Sequence, residues 1–190
     1  MQNKIKSMIK ENIETQKLVY ESLSPKIEQA AKLIIEAFSK NKKILIAGNG
    51  GSSAMSSHIA GEFVGRYKIE RIGLPCIALT ADSSILTAWS NDYSYEGVFE
   101  RQIETLAQTG DIFIALTTSG NSKNLIKAIQ TARKKNVSVI GFLGKGGGKM
   151  KNTSDVEIIV PSNNTPRIQE AHLMILHIIC ELVDEKMFGK

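Results

Sequence analysis

Apolar residues recur at helical spacing from residue 3 to 39: Ile5, Met8, Ile9, Ile13 and Leu18, then Ile27, Ala30, Ala31, Ile34, Ile35 and Phe38. That period predicts helix. Pro25 is expected to divide the stretch into two helices, with Ser24 as an N-cap and Glu28 close to the capping-box position. The first helix is too apolar on one face to stand alone. It is expected to pack on the body of the protein or on another subunit.

Beyond residue 40 the pattern changes to short apolar runs alternating with helical stretches. The runs at 43–47, 75–80, 111–117, 137–143 and 156–160 predict strands. Helices are predicted at 53–65, 83–90, 95–108, 122–135 and 167–187. Runs such as Ile112-Phe113-Ile114-Ala115-Leu116 are apolar at every position, as parallel strands buried on both faces require. The βαβ alternation implies a three-layer α/β/α sandwich around a five-stranded parallel sheet, preceded by the N-terminal helices. Ligands in such folds bind beyond the carboxyl ends of the strands.

The chain has 190 residues, enough for one domain with a sizeable core. Its net charge of +5 is spread along the chain, and aromatic residues, at 6%, do not interleave with the basic ones. This argues against a nucleic-acid surface and suits attraction of anionic metabolites. The densest basic run, Arg133-Lys134-Lys135, falls at a predicted helix C-terminus, where cations suit the macrodipole. Cys76 and Cys180 are isolated, without CxxC spacing, which points to a reducing compartment and no metal–thiolate cluster. No signal-peptide pattern and no run of 18 apolar residues is present. A cytoplasmic protein without membrane association is therefore expected.

Two loops that follow predicted strands and open helices carry the candidate chemistry. The first is Gly48-Asn49-Gly50-Gly51-Ser52-Ser53 and the second Thr117-Thr118-Ser119-Gly120-Asn121-Ser122. Glycine lets backbone approach a ligand, and free N–H groups beside hydroxyls suit a phosphate. Either loop alone could be no more than a turn with a helix cap. Two at one sheet edge favour a site. Neither is a nucleotide motif: Gly48-x-Gly50-x-x-Ser53 lacks the third glycine of the dinucleotide fingerprint. The segment Gly144 to Met150 lacks the spaced first glycine and the Ser/Thr of a P-loop and reads as a flexible turn.

His58 and Glu62 sit four residues apart on one helix face. They form either a plain exposed pair or half of a metal or proton-transfer site. Gln169 and His177 lie on the last helix, separated by about 80° of rotation and about 12 Å of rise. Spacing of that size argues that, if both are ligands, they act at different sites across a subunit interface. His, Glu, Gln and a second His form a nitrogen and oxygen donor set suited to zinc. Asn91-Asp92 reads as a turn and cap that could also meet sugar hydroxyls, and Trp89 as packing.

Taken together, Ala47 to Ser52, Gly65-Arg66-Tyr67, Asn91-Asp92, Thr118 to Ser122 and Arg167-Ile168-Gln169-Glu170 resemble the sugar isomerase (SIS) domain family, which has a flavodoxin-like fold. More narrowly the chain resembles the phosphoheptose isomerase branch, whose members convert sedoheptulose 7-phosphate to D-glycero-D-manno-heptose 7-phosphate for lipopolysaccharide or capsule. The resemblance spans nearly the whole chain and implies a single SIS domain over residues 1–190. It implies that Asn49, Gly50, Gly51, Ser52, Asn91 and Asp92 contact the sugar. Thr117, Thr118, Ser119 and Ser122 would hold the phosphate. His58, Glu62, Gln169 and His177 would hold zinc, one per subunit. Glu62 and His177 would be the catalytic proton-transfer pair, with Glu62 and Gln169 also touching substrate. A homotetramer with sites at subunit interfaces is implied as well. Some SIS relatives instead act as adaptors that bind the replication initiator, and others as sensors of phosphosugars. An adaptor has no need of Glu62 or His177.

Overall fold

Five short apolar segments pair side by side, all parallel: β1 (Ile44–Gly48), β2 (Cys76–Ala78), β3 (Ile112–Leu116), β4 (Ser138–Leu143) and β5 (Val156–Ile159). They are seen in a computed structural model that describes residues 1–189. The strand order is β2-β1-β3-β4-β5. The chain thus leaves β1 for one side and returns to the other, which opens a crevice between the carboxyl ends of β1 and β3.

Side chains alternate across each strand and divide the core in two. Ile44, Ile46, Ile112, Ile114, Leu116, Ile140 and Phe142 point to a layer containing α1 (Gln2–Ser39), α2 (Gly51–Val64) and α6 (Thr165–Phe188). Leu45, Ala47, Phe113, Ala115 and Val139 point to the opposite layer. There they meet α4 (Val98–Leu106) and α5 (Lys123–Lys134), with Leu86 and Trp89 of α3 (Ser83–Asp92) at the margin. The sheet is therefore covered on both faces, as its continuous apolar runs require. Among the described residues no helix is long and apolar enough to cross a membrane.

Pro25 does not divide the N-terminal stretch: α1 runs unbroken for 38 residues. Pro25 and Glu21, whose carbonyl loses its helical N–H partner, are both exposed, so water can serve the carbonyl. On the other face Val19, Leu23, Ile27, Ala30, Ala31 and Ile34 are buried. Burial of several such side chains, each contributing about 1.5–3 kcal/mol when large, outweighs the roughly 3 kcal/mol cost of an interior proline. Ser24 is not an N-cap; its hydroxyl donates back to the Tyr20 carbonyl at 2.8 Å.

Smaller differences concern element ends. The 95–108 stretch opens as a 3₁₀ turn at Tyr95–Gly97 before α4, and Asn91-Asp92 lies within the last turn of α3. The glycine-rich segment is not a loose turn. Lys145–Met150 forms a compact kinked turn in which Gly146, Gly147 and Gly148 have positive φ and Gly147 and Met150 are buried. It docks on the loop after β3: Met150 N–H donates to the Gly120 carbonyl at 3.0 Å and Lys149 N–H to Asn121 Oδ1 at 3.1 Å. Gly120 has φ +65°, and a Cβ there would collide with the Gly147 carbonyl. Cys76 and Cys180 are free, buried thiols. Burial pushes the Cys180 thiol up to about 12 and raises Cys76 as well, so both are unreactive.

Candidate active site

The turn after β1 lies against the start of α6. Gly50, with φ 56°, precedes α2, and a Cβ on Gly51 would come within 2.6 Å of Gln169 Nε2. Glycine at 51 is therefore what lets Gln169 reach the first turn of α2. Ser52 is turned inward, 3% exposed, and its N–H is used by the Asn49 carbonyl at 3.0 Å. It is closed to a ligand in a way the rest of the turn is not.

Across the crevice, the loop after β3 gathers hydroxyls. Thr117 Oγ1 lies 3.4 Å from Ser119 Oγ and 3.2 Å from Ser122 Oγ. Gly120 N–H donates to Thr117 Oγ1 at 3.3 Å, and Asn121 N–H to Ser119 Oγ at 3.2 Å. Ser122 caps α5 through its backbone without a side-chain cap bond. Three hydroxyls at the N-terminus of a 12-residue helix make a cradle for a phosphate-like anion. Thr118 belongs to the same loop, partly exposed.

A third feature joins α2 to α6. His58 Nε2 is 2.9 Å from His177 Nε2 and 3.4 Å from Glu62 Oε1. One ligand atom from each of the three residues fits within a 4.8 Å cluster. Tetrahedral ligands about 2 Å from an ion stand about 3.3 Å apart, so these separations fit a zinc-sized ion. Two imidazoles and a carboxylate are also the donor types such an ion takes. All three come from one chain, so no second subunit is needed to bring His177 to His58 and Glu62. Gln169 meets the first turn of α2 while His177 meets its middle, which is where their spacing on α6 goes. Gln169 and His58 nonetheless line one cavity of about 410 Å³, with Gly51, Met55 and Leu173.

The surroundings hold this cluster in place. The Tyr67 ring stacks on His177 at 5.6 Å between centroids. Arg71, fully buried, donates to the Glu62 carbonyl at 2.9 Å and the Phe63 carbonyl at 2.9 Å, capping the end of α2. Asp184 of α6 accepts from Arg71 Nε at 2.6 Å. This buried pair ties α2 to α6 across the segment that carries Tyr67.

Asn91 and Asp92 are exposed, and Asn91 Nδ2 donates to Asp92 Oδ1 at 2.9 Å. No hydrogen bond among the described residues links them to the two loops. Trp89 is packing, as its sequence context implies: it stacks on Tyr93 at 4.3 Å and lies against the α4–α5 core. Sequence reasoning missed Arg71 and Asp184, and it missed Asn124 and Tyr95, which bond to Asn49. A hydrogen bond between residues 46 or 75 positions apart leaves no local spacing to detect.

Comparison with known proteins shows the family. Residues 8–144 match the SIS domain family. A phosphoheptose isomerase of Sulfurimonas denitrificans is 48% identical over 191 residues, covering 100% of this chain and 98% of the relative. One from Nitratiruptor is 52% identical over 179 residues, covering 93% and 96%. Among solved structures, a phosphoheptose isomerase from Neisseria gonorrhoeae superposes with a TM-score of 0.91 at 37% identity, covering 97% of this chain and 98% of that one.

Proposed function

Because this chain belongs to the SIS-domain family, and within it to the phosphoheptose isomerases, we propose that it interconverts sedoheptulose 7-phosphate and D-glycero-D-manno-heptose 7-phosphate. The observations that carry the reading are the convergence of His58, Glu62 and His177 between α2 and α6 and the hydroxyl-lined anion cradle in the loop after β3. An adaptor has no need of Glu62 or His177.

In the proposed reaction, Thr117, Thr118, Ser119, Ser122 and the N–H groups at the start of α5 hold the phosphate. Asn49, Gly50, Gly51, Asn91, Asp92 and Gln169 face the sugar, and Ser52 shapes the turn from within. The Glu62 carboxylate takes the proton from C1 of the ketose. The C1–H electron pair forms a C1=C2 bond, and the C2 carbonyl oxygen takes up the charge and the proton that O1 gives up. Loss of the O1 proton then forms the C1 carbonyl as C2 receives a proton from His177, giving the aldose. His58, Glu62 and His177 of one chain would hold a zinc ion, one per chain, with Gln169 supplied across the subunit interface, and the ion when bound would supply Lewis-acid polarisation of the carbonyl. Metal ligation and proton transfer draw on the same Glu62 and His177 side chains.

The chain would act as a single cytoplasmic domain assembled into a homotetramer. Support for assembly comes from Ile5, Met8, Ile9 and Ile13 of α1, all about half exposed along one helix. Incubating the purified protein with sedoheptulose 7-phosphate and detecting the aldose separates the isomerase from the adaptor and the sensor. Binding without turnover would refute the proposal.

A further inference from the structure

Asn49 is held by two side chains that lie outside the residues given roles above. Asn124 Nδ2 donates to Asn49 Oδ1 at 2.9 Å, and Asn49 Nδ2 donates back to Asn124 Oδ1 at 3.1 Å. Tyr95 Oη donates to the same Asn49 Oδ1 at 2.7 Å. The amide orientations follow from one backbone group. Leu125 N–H, which can only donate and is shared with the Ser122 carbonyl at 3.1 Å, points at Asn124 Oδ1 at 3.0 Å. Asn124 must therefore present its NH₂ to Asn49, which fixes Asn49 in turn.

The count of donors and acceptors is decisive. A carbonyl oxygen has two lone pairs, and both of those on Asn49 Oδ1 are taken by Asn124 and Tyr95. One Asn49 N–H goes to Asn124. The other finds no acceptor among the described residues. Asn124 is only 4% exposed, so the pairing is sheltered from water. Tyr95 is brought to Asn49 by the 3₁₀ turn, which Lys123 and Lys127 of α5 hold through Glu96 at 2.8 and 3.3 Å.

We infer that Asn124 and Tyr95 are positioning residues for the reaction: they fill the Asn49 carbonyl and leave its side chain to meet the sugar as a hydrogen-bond donor only. The inference rests on the isomerase reading, and it deepens it. A neutral donor with a fixed direction favours an oxygen that gains negative charge during proton transfer, which is the electrostatic need of an enediolate. A freely rotating asparagine would offer its carbonyl to the same oxygen half the time. The pair also joins the turn after β1 to the helix after the phosphate loop, so the sugar and phosphate halves of the site are set in register through it.

The test compares Tyr95→Phe, Asn124→Ala and Asn49→Ala with wild type in the full zinc-loaded chain, using sedoheptulose 7-phosphate. Loss of one neutral hydrogen bond at this position is expected to lower kcat about fivefold in Tyr95→Phe, with KM changed less than about twofold. In the Asn49→Ala background the same Tyr95→Phe change is expected to alter kcat less than about twofold, because it acts through Asn49. Equal effects in both backgrounds, or none in either, overturn the inference. Tyr95 is half exposed, so its variant keeps the test open if Asn124→Ala does not fold. The second measurement needs no substrate: the Asn49 side-chain amide protons should exchange with water faster in Tyr95→Phe than in wild type. Unchanged exchange refutes the lock, whereas a wild-type chain that turns over nothing refutes the isomerase reading.

Discussion

His58 Nε2 and His177 Nε2 stand 2.9 Å apart although 119 positions separate them in the chain. The contact joins α2 to α6, and Glu62 completes it from the next turn of α2. Two ring nitrogens at that separation either share one proton or both direct lone pairs to an ion. The purified protein is expected to retain about one zinc per chain after dialysis. His58→Ala and His177→Ala should each weaken that affinity at least about 100-fold, measured by metal analysis and chelator competition. Unchanged zinc content in both variants would contradict the assignment.

The buried Arg71–Asp184 pair should be a stability element as well as a strut. Both side chains are at most 1% exposed. Removing one partner, as in Asp184→Ala, leaves a buried guanidinium uncompensated and is expected to cost about 3–5 kcal/mol in urea unfolding. Replacing both, as in Arg71→Met with Asp184→Leu, should recover a large part of that loss. A cost under about 1 kcal/mol for the single variant would show that water reaches the pair.

His172 gives the protein an acid-sensitive term away from the site. Its Nε2 lies 3.0 Å from the Leu143 carbonyl, its Nδ1 is buried without a partner, and burial pushes its pKa down to about 4. An unfolded histidine titrates near 6.5, so between about 4 and 6.5 the unfolded chain binds more protons. Stability therefore rises with pH across that window and is lost as pH falls through it, by about 3 kcal/mol at most. Urea midpoints measured from pH 4 to 7 should show the slope, and His172→Leu should flatten it whatever its effect at pH 7. An equal slope in both proteins would refute this account.

Assembly through α1 can be checked separately from catalysis. Ile9 and Ile13 are 56% and 58% exposed in the single chain. Sedimentation of wild type should give a mass about four times 20.8 kDa. Ile9→Glu with Ile13→Glu should reduce it while leaving the far-ultraviolet circular dichroism unchanged. A wild-type mass of one chain would contradict the tetramer.

The sheet was legible in the sequence because parallel strands buried on both faces are apolar throughout, as in Ile112 to Leu116. The two loops were legible because glycine and hydroxyl residues at strand ends are a local signal. Pro25 misled because its cost is local whereas the burial that overrides it, through Leu23, Ile27 and Ile34, comes from packing. The glycine run Gly146 to Gly148 misled for the reverse reason. The run reads as a loose turn, yet Gly147 packs against Lys151 and Ile159 and Gly148 against Ser119 and Asn121 of the loop after β3. Tyr95, Asn124, Arg71 and Asp184 were invisible because hydrogen-bond partners far apart in sequence share no period.

The account's central claim is that Glu62 moves the proton that interconverts ketose and aldose. Nuclear magnetic resonance of sedoheptulose 7-phosphate incubated with wild type and with Glu62→Gln tests it most directly. Wild type should convert the ketose to the aldose, and folded Glu62→Gln should be slower by about 10²-fold or more. No aldose from wild type, or undiminished turnover by Glu62→Gln, would contradict it.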